Sequence, residues 1–143
     1  MSNSEIAGIF ENLYNILSID EKTKFEALAY QRVARELQSM PDDVSDLYDK
    51  YGIDGLMKIP GVGKGITQHI IEYLKTGKIE KYEKIKSEYP IDFGDLFRIE
   101  GLGPKKAILL YKKLGIKNLN DLKKAAEEHK IADIPGFGKK AKN

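Results

Sequence analysis

Between Glu5 and Leu17 the apolar residues Ile6, Ile9, Phe10, Leu13 and Leu17 recur every three or four positions, the period of a helix with one buried stripe. A second run sets Phe25, Leu28, Ala29, Val33 and Leu37 on one stripe, with Asp20 as the expected N-cap and Met40-Pro41 as the stop. Both stripes are expected in the core. Asp42 to Tyr51 reads as a short helix ended by Gly52, and Asp54 as the cap of a brief turn through Leu56 and Met57. Ile66, Ile70, Ile71 and Leu74 mark a helix closing at Thr76-Gly77, and Ile79, Tyr82 and Ile85 carry another to Tyr89-Pro90, where proline enforces a break. Past that break, Phe93, Leu96 and Phe97 lead into a turn. Ala107, Leu110, Tyr111 and Leu114 lead out of it to Gly115, and Asn118 or Asn120 opens a last helix with Leu122, Ala125 and Ala126. No stretch alternates with period two, and the five prolines sit at turns. The pattern predicts an all-α chain in two small subdomains, residues 1–89 and 90–143.

The polar punctuation between these helices repeats. An apolar residue, a Gly-apolar-Gly turn and a lysine-bearing stretch occur three times: Ile59-Pro60-Gly61-Val62-Gly63-Lys64, Ile99-Glu100-Gly101-Leu102-Gly103-Pro104-Lys105-Lys106 and Ile134-Pro135-Gly136-Phe137-Gly138-Lys139-Lys140. Two glycines around one buried apolar residue let the chain turn tightly and bring its N–H groups up to an anion at the start of the next helix. One such turn is weak evidence, because Gly-x-Gly also joins packed helices with no ligand involved. Three turns, each followed by lysine, point to a phosphate cradle. Only Lys139 to Asn143 follow the third, too few for a second helix, so the protein is expected to continue in its natural context.

Net charge is +2 over 143 residues, but it is unevenly placed. Residues 1–55 hold 5 Lys/Arg against 11 Asp/Glu, and residues 56–143 hold 19 against 11. The positive excess coincides with the glycine turns, as expected for a polyanionic partner. The chain has no cysteine, which excludes disulfides, thiolate catalysis and sulfur-ligated zinc, and its two histidines, His69 and His129, stand too far apart to suggest a metal cluster. The first residues lack a secretory pattern and no apolar run approaches the ~20 residues that cross a bilayer, so no membrane partner and a cytoplasmic location are expected.

A helix, an apolar-x-Gly-apolar-Gly turn and a second helix resemble the helix-hairpin-helix motif. Over residues 24–125 the likeness becomes specific. The run from Leu28 to Ala34, Ile59-Pro60-Gly61-Val62-Gly63, and the stretch Glu72-Tyr73-Leu74-Lys75-Thr76-Gly77-Lys78 continuing to Ile85 resemble the amino-terminal region of family X DNA polymerases. Ile99-Glu100-Gly101-Leu102-Gly103-Pro104, with the stretch from Gly115 to Leu122, is similar to the adjoining DNA-gripping subdomain. The resemblance implies sequence-independent binding of gapped, nicked or duplex DNA through backbone phosphates, by a monomer. Gly61, Val62, Gly63 and Lys64 would hold one strand, and Gly101, Leu102, Gly103, Lys105 and Lys106 the other. It also implies a monovalent cation, sodium or potassium, on the carbonyls of Met57, Ile59 and Val62 in the first turn and of Phe97, Ile99 and Leu102 in the second. Magnesium enters only if a palm domain follows Asn143.

Members of that family with deoxyribose-phosphate lyase activity need an amine that forms an imine with the sugar. Alignment on the first turn puts His69 at that position, and imidazole forms no such stable imine. Gly65 and Glu26 fall where such lyases keep phosphate-binding lysines, and Gln68 where they keep a glutamate. Tyr30 and Lys81 remain as polar members of the pocket, with Phe25 placed to stack on a base. No catalytic residue is therefore expected here. Asp42, Asp43, Asp46 and Asp49 lack the strand scaffold of a two-metal site and read as capping residues; a longer parent would be the DNA-directed polymerase. Two alternatives stay open: a lyase using a displaced lysine such as Lys64, and a stand-alone helix-hairpin-helix module that binds protein or DNA.

Overall fold

A computed structural model describes residues 2–129. They are all-helical, and the third glycine turn lies outside them. In order come α1 (Ser2–Leu17), α2 (Lys24–Ser39), α3 (Val44–Met57), α4 (Lys64–Thr76), α5 (Glu80–Glu88), α6 (Phe93–Leu96), α7 (Pro104–Leu114) and α8 (Leu119–Glu127). The chain divides into two compact units, Met1–Lys84 and Ile85–Asn143, with the division inside α5. No helix among the described residues is long and apolar enough to cross a membrane.

In the first unit α1 packs along α2, and α3 and α4 close the core. Ile6, Ala7, Phe10 and Leu13 from α1 meet Ala27, Tyr30, Val33, Ala34 and Leu37 from α2, all at most 3% exposed. The α2 stripe expected from the sequence is thus rotated. Phe25 is 86% and Leu28 45% exposed, because small Ala27 and Ala34 face the close approach of α1 and carry the larger side chains outward. Asp20 also differs from expectation: its carboxylate caps a single 3₁₀ turn, Glu21–Thr23, that runs into α2, and Thr23, the N-cap of α2, makes no side-chain capping bond.

The acidic segment before α3 is tied down by one local network. The Asn3 side chain donates to the Asp42 carbonyl at 2.8 Å and accepts from the Val44 amide at 2.8 Å, while Asp43 accepts from the backbones of Asn3 and Ser45. Burial pushes the Asp43 carboxyl up, but the Ser45 hydroxyl, which also donates to it, and these backbone bonds outweigh burial and leave its pKa lowered. Within α3, Gly52 adopts φ 65° and ψ −148°, so the segment is two short helices abutting at a kink. That is the break expected at Gly52, without the intervening loop.

In the second unit Phe93 and Leu96 of α6, Leu102, Ala107, Ile108 and Leu110 of the turn and α7, and Leu122 and Ala125 of α8 form the core. Asp92 and Asn118 cap α6 and α8, and Gly77 and Gly115 end α4 and α7 in the left-handed conformation that a side chain resists.

Candidate nucleic-acid interface

The two described glycine turns have the same backbone, forty positions apart. Gly61 and Gly101 take φ +87° and +84°. Gly63 and Gly103 are extended N-caps, with ψ −169° and −174°. The Val62 amide donates to the Ile59 carbonyl at 3.0 Å and the Leu102 amide to the Ile99 carbonyl at 3.1 Å. The first helical bonds run from Thr67 to Gly63 at 2.9 Å and from Ala107 to Gly103 at 3.0 Å. Val62 and Leu102, each 7% exposed, plug the turns into their units. A positive φ at the first glycine and a buried plug after it are what bend the chain back so tightly.

The helices that leave these turns start in an uncommon way. Among the described helices, α4 and α7 alone combine an N-cap without a side-chain hydrogen bond and a first turn without an acidic residue. Lysines stand there instead: Lys64 opens α4, and Lys105 and Lys106 lie in the first turn of α7. A cation at a helix N-terminus opposes the peptide dipoles, and the leading amides there lack intrahelical partners. Both deficits are relieved by an anion. A Cβ built on Gly63 or Gly103 would meet no atom beyond the chain neighbours within 4 Å, so there is space beside both glycines.

The carbonyls expected to hold a cation come from exposed Met57 and the buried Ile59 and Val62 in the first turn, and from Phe97, Ile99 and Leu102 in the second. Ile59 and Ile99 each use one lone pair on the amide three residues on, which leaves the other. Neutral carbonyl donors suit a hard ion of low charge, and no group of three or more His, Asp or Glu stands ready for a multivalent metal among the described residues.

Beside the first turn, Tyr30, His69, Lys81 and Glu26 line an open cleft of 410 Å³ with Gly61, Gly63 and Gly65. Lys81 Nζ donates to both oxygens of Glu26, at 2.9 and 2.6 Å, and lies 5.7 Å from the centroid of the Tyr30 ring. Burial works to lower the Lys81 pKa, but the Glu26 hydrogen bond and the Tyr30 oxygen outweigh it and leave it raised. Burial raises the Tyr30 phenol. His69 is half-buried rather than on the open surface, with its ring 6.1 Å from that of Tyr30. Burial first and the Lys81 charge second push its pKa below the usual value, against the pull of Glu72, 3.8 Å from Nδ1. A neutral imidazole and a lysine held by a carboxylate leave this cleft with little free positive charge.

Spacing along the chain gave no sign of two contacts here. One is the Glu26–Lys81 pair. The other is Arg32 of α2, whose stem crosses the first turn: a Cβ on Gly61 would stand 3.3 Å from Arg32 Cδ and Nε. Both depend on which face of α2 is turned toward the turn.

Residues 1–79 match the family described as "Helix-hairpin-helix domain", and residues 93–141 match "SAM-like Helix-hairpin-helix tandem". The chain is 30% identical over 141 residues to the "DNA polymerase/3'-5' exonuclease PolX" of Bacillus subtilis (strain 168), covering 99% of this chain and 24% of that protein. It is 31% identical over 121 residues to "DNA polymerase lambda" of Arabidopsis thaliana, covering 84% of this chain and 21% of the relative. With "DNA polymerase lambda" of Rattus norvegicus it shares 28% identity over 84% of its length and 19% of the relative's. The chain thus spans about a fifth to a quarter of the length of these curated relatives.

Proposed function

This chain belongs to the helix-hairpin-helix family, in the form of the amino-terminal region of family X DNA polymerases, and from that premise we propose that it grips DNA by its backbone phosphates. The observation that carries this reading is the pair of helix starts at Gly63 and Gly103, uncapped and furnished with lysine where other helices of the chain place a carboxylate. Amides of Gly63, Lys64 and Gly65 in the first turn, and of Gly103, Lys105 and Lys106 in the second, where Pro104 has no N–H to give, meet phosphate oxygens, and Lys64, Lys105 and Lys106 add charge. Contacts of this kind position a duplex without reading its sequence. A sodium or potassium ion on the turn carbonyls would bridge to the same strand. Within a polymerase the natural ligand is gapped or nicked DNA, one hairpin to each flank. No residue of this chain is assigned a catalytic role; polymerisation belongs to a palm elsewhere in such a protein.

Gly63→Ala and Gly103→Ala test this directly. Both positions have φ values open to any residue and space for a methyl group, so the fold is retained. Fluorescence anisotropy with a labelled gapped duplex is expected to show weaker binding in each variant and a further loss in the double variant, with thermal melts nearly unchanged. Unaltered affinity in the double variant would remove the cradle from the mechanism.

A further inference from the structure

The two hairpins share a backbone and differ in what lies against it. A Cβ on Gly101 would meet nothing within 4 Å, whereas one on Gly61 would meet Arg32 at Cδ, Nε and Cγ within 3.5 Å. The Arg32 stem therefore lies across the first turn. The residue itself is exposed and makes no ion pair with a carboxylate among the described residues, unlike Lys81, held by Glu26, or Arg98, 3.8 Å from Asp95. α2 thus delivers a charged fork to the edge of a turn whose own sequence supplies only glycines, apolar residues and lysine.

We propose that Arg32 is a phosphate-binding residue of the first hairpin, a side-chain ligand beside the amides of the Gly63 helix start; this rests on the phosphate-binding reading above. A guanidinium meets phosphate through two parallel N–H···O bonds and stays charged at any relevant pH. Its stem is already seated on Gly61, so less side-chain freedom is lost on binding than for an unsupported lysine. The two hairpins then differ in kind: the second grips with backbone and lysines, and the first adds an arginine borrowed from a neighbouring helix. Glycine at position 61 has two reasons to be there, its positive φ and the room it leaves for Arg32.

The test uses the full chain and a short labelled duplex, with binding measured over a sodium chloride series. Arg32→Gln is expected to weaken binding about tenfold at low salt and to flatten the slope of log affinity against log salt by about 0.9, the share of one phosphate contact. Arg32→Lys should keep the slope and lose part of the affinity, because it keeps the charge without the fork. Lys64→Gln serves as the control on the parent reading. Normal binding by Arg32→Gln together with a loss in Lys64→Gln overturns the role of Arg32 and leaves the cradle standing; normal binding by both overturns the two together. In the unaltered chain, the Arg32 Nε–Hε resonance should move on adding the duplex. A static signal beside shifting Gly63 and Gly65 amides counts against the proposal whatever the variants do to folding.

Discussion

Lys81 grips Glu26 by both carboxylate oxygens while its ammonium lies near the face of Tyr30. The pair lines the cleft beside the first hairpin, so a strand entering it would meet a carboxylate together with the lysine. Glu26→Gln should release Lys81 to phosphate. DNA affinity is expected to rise severalfold at low salt. The melting temperature should barely move, because both partners are a third or more exposed and such pairs contribute under about 1 kcal/mol. Isothermal titration with duplex DNA and a thermal melt of the same sample check both parts.

Gly61→Ala and Gly101→Ala put a side chain where φ is near +85°, which costs about 1–2 kcal/mol at either site. Gly61→Ala is expected to be the more destabilising, since its methyl group must also displace the Arg32 stem at 3.3 Å, whereas the space at Gly101 is open. Denaturant unfolding of the two variants, each compared with the unaltered chain, gives the ranking; equal losses would mean that Arg32 yields freely.

Stability of the first unit is expected to fall as the solution is acidified. The folded His69 has a pKa below that of the unfolded chain, about 6.5. The unfolded state therefore takes up the proton first. The contribution is whole above about pH 6.5 and is lost as pH drops through the lower, folded value. Asp43, also depressed, adds a second loss of the same sign in the more acidic range below the usual carboxylate pKa. Urea melts across this span should show two declines, and His69→Gln should remove the upper one.

Thr67 is 1% exposed on the inner face of α4, and its Oγ1 finds no hydrogen-bond partner among the described residues. An unmade bond on a buried hydroxyl is costly, and valine has nearly the same shape. Thr67→Val should raise stability by about 1 kcal/mol, read as a shift in the urea midpoint with unchanged slope. DNA binding should be unaffected.

Much of this architecture is written in local pattern. Apolar periodicity locates the helices, Gly77 and Gly115 mark the ends of α4 and α7, and the Gly-x-Gly spelling at 61–63 and 101–103 locates both turns, because backbone conformation there is decided by the glycines themselves. Phe25 shows where such reading stops. Its spacing fits a core stripe, yet small alanines draw α1 onto the adjacent face and leave the ring in solvent. Asp20 has the form of an N-cap for α2 but caps a 3₁₀ turn ahead of it. Lys81 with Glu26, and Arg32 against Gly61, join residues far apart in sequence, and nothing in the spacing of either partner specifies which helix faces will meet.

Gly52 has a consequence for how the first turn is supported. Its φ of 65° with ψ −148° is a backbone region that essentially only glycine enters, and a Cβ there would touch nothing else, so the preference is purely conformational. Residues 53–57 form a second short rod leading into the first turn, folded so closely on the one before it that a Cβ on Gly55 would stand 2.8 Å from the Leu47 oxygen and the Tyr51 Cβ. The anchoring of residues 44–51 through Asn3 and Asp43 is therefore passed across the kink to the rod that aims the hairpin. A residue inserted or removed between Leu47 and Gly55 would unseat that contact and swing the turn, which leaves this stretch little latitude to change in length.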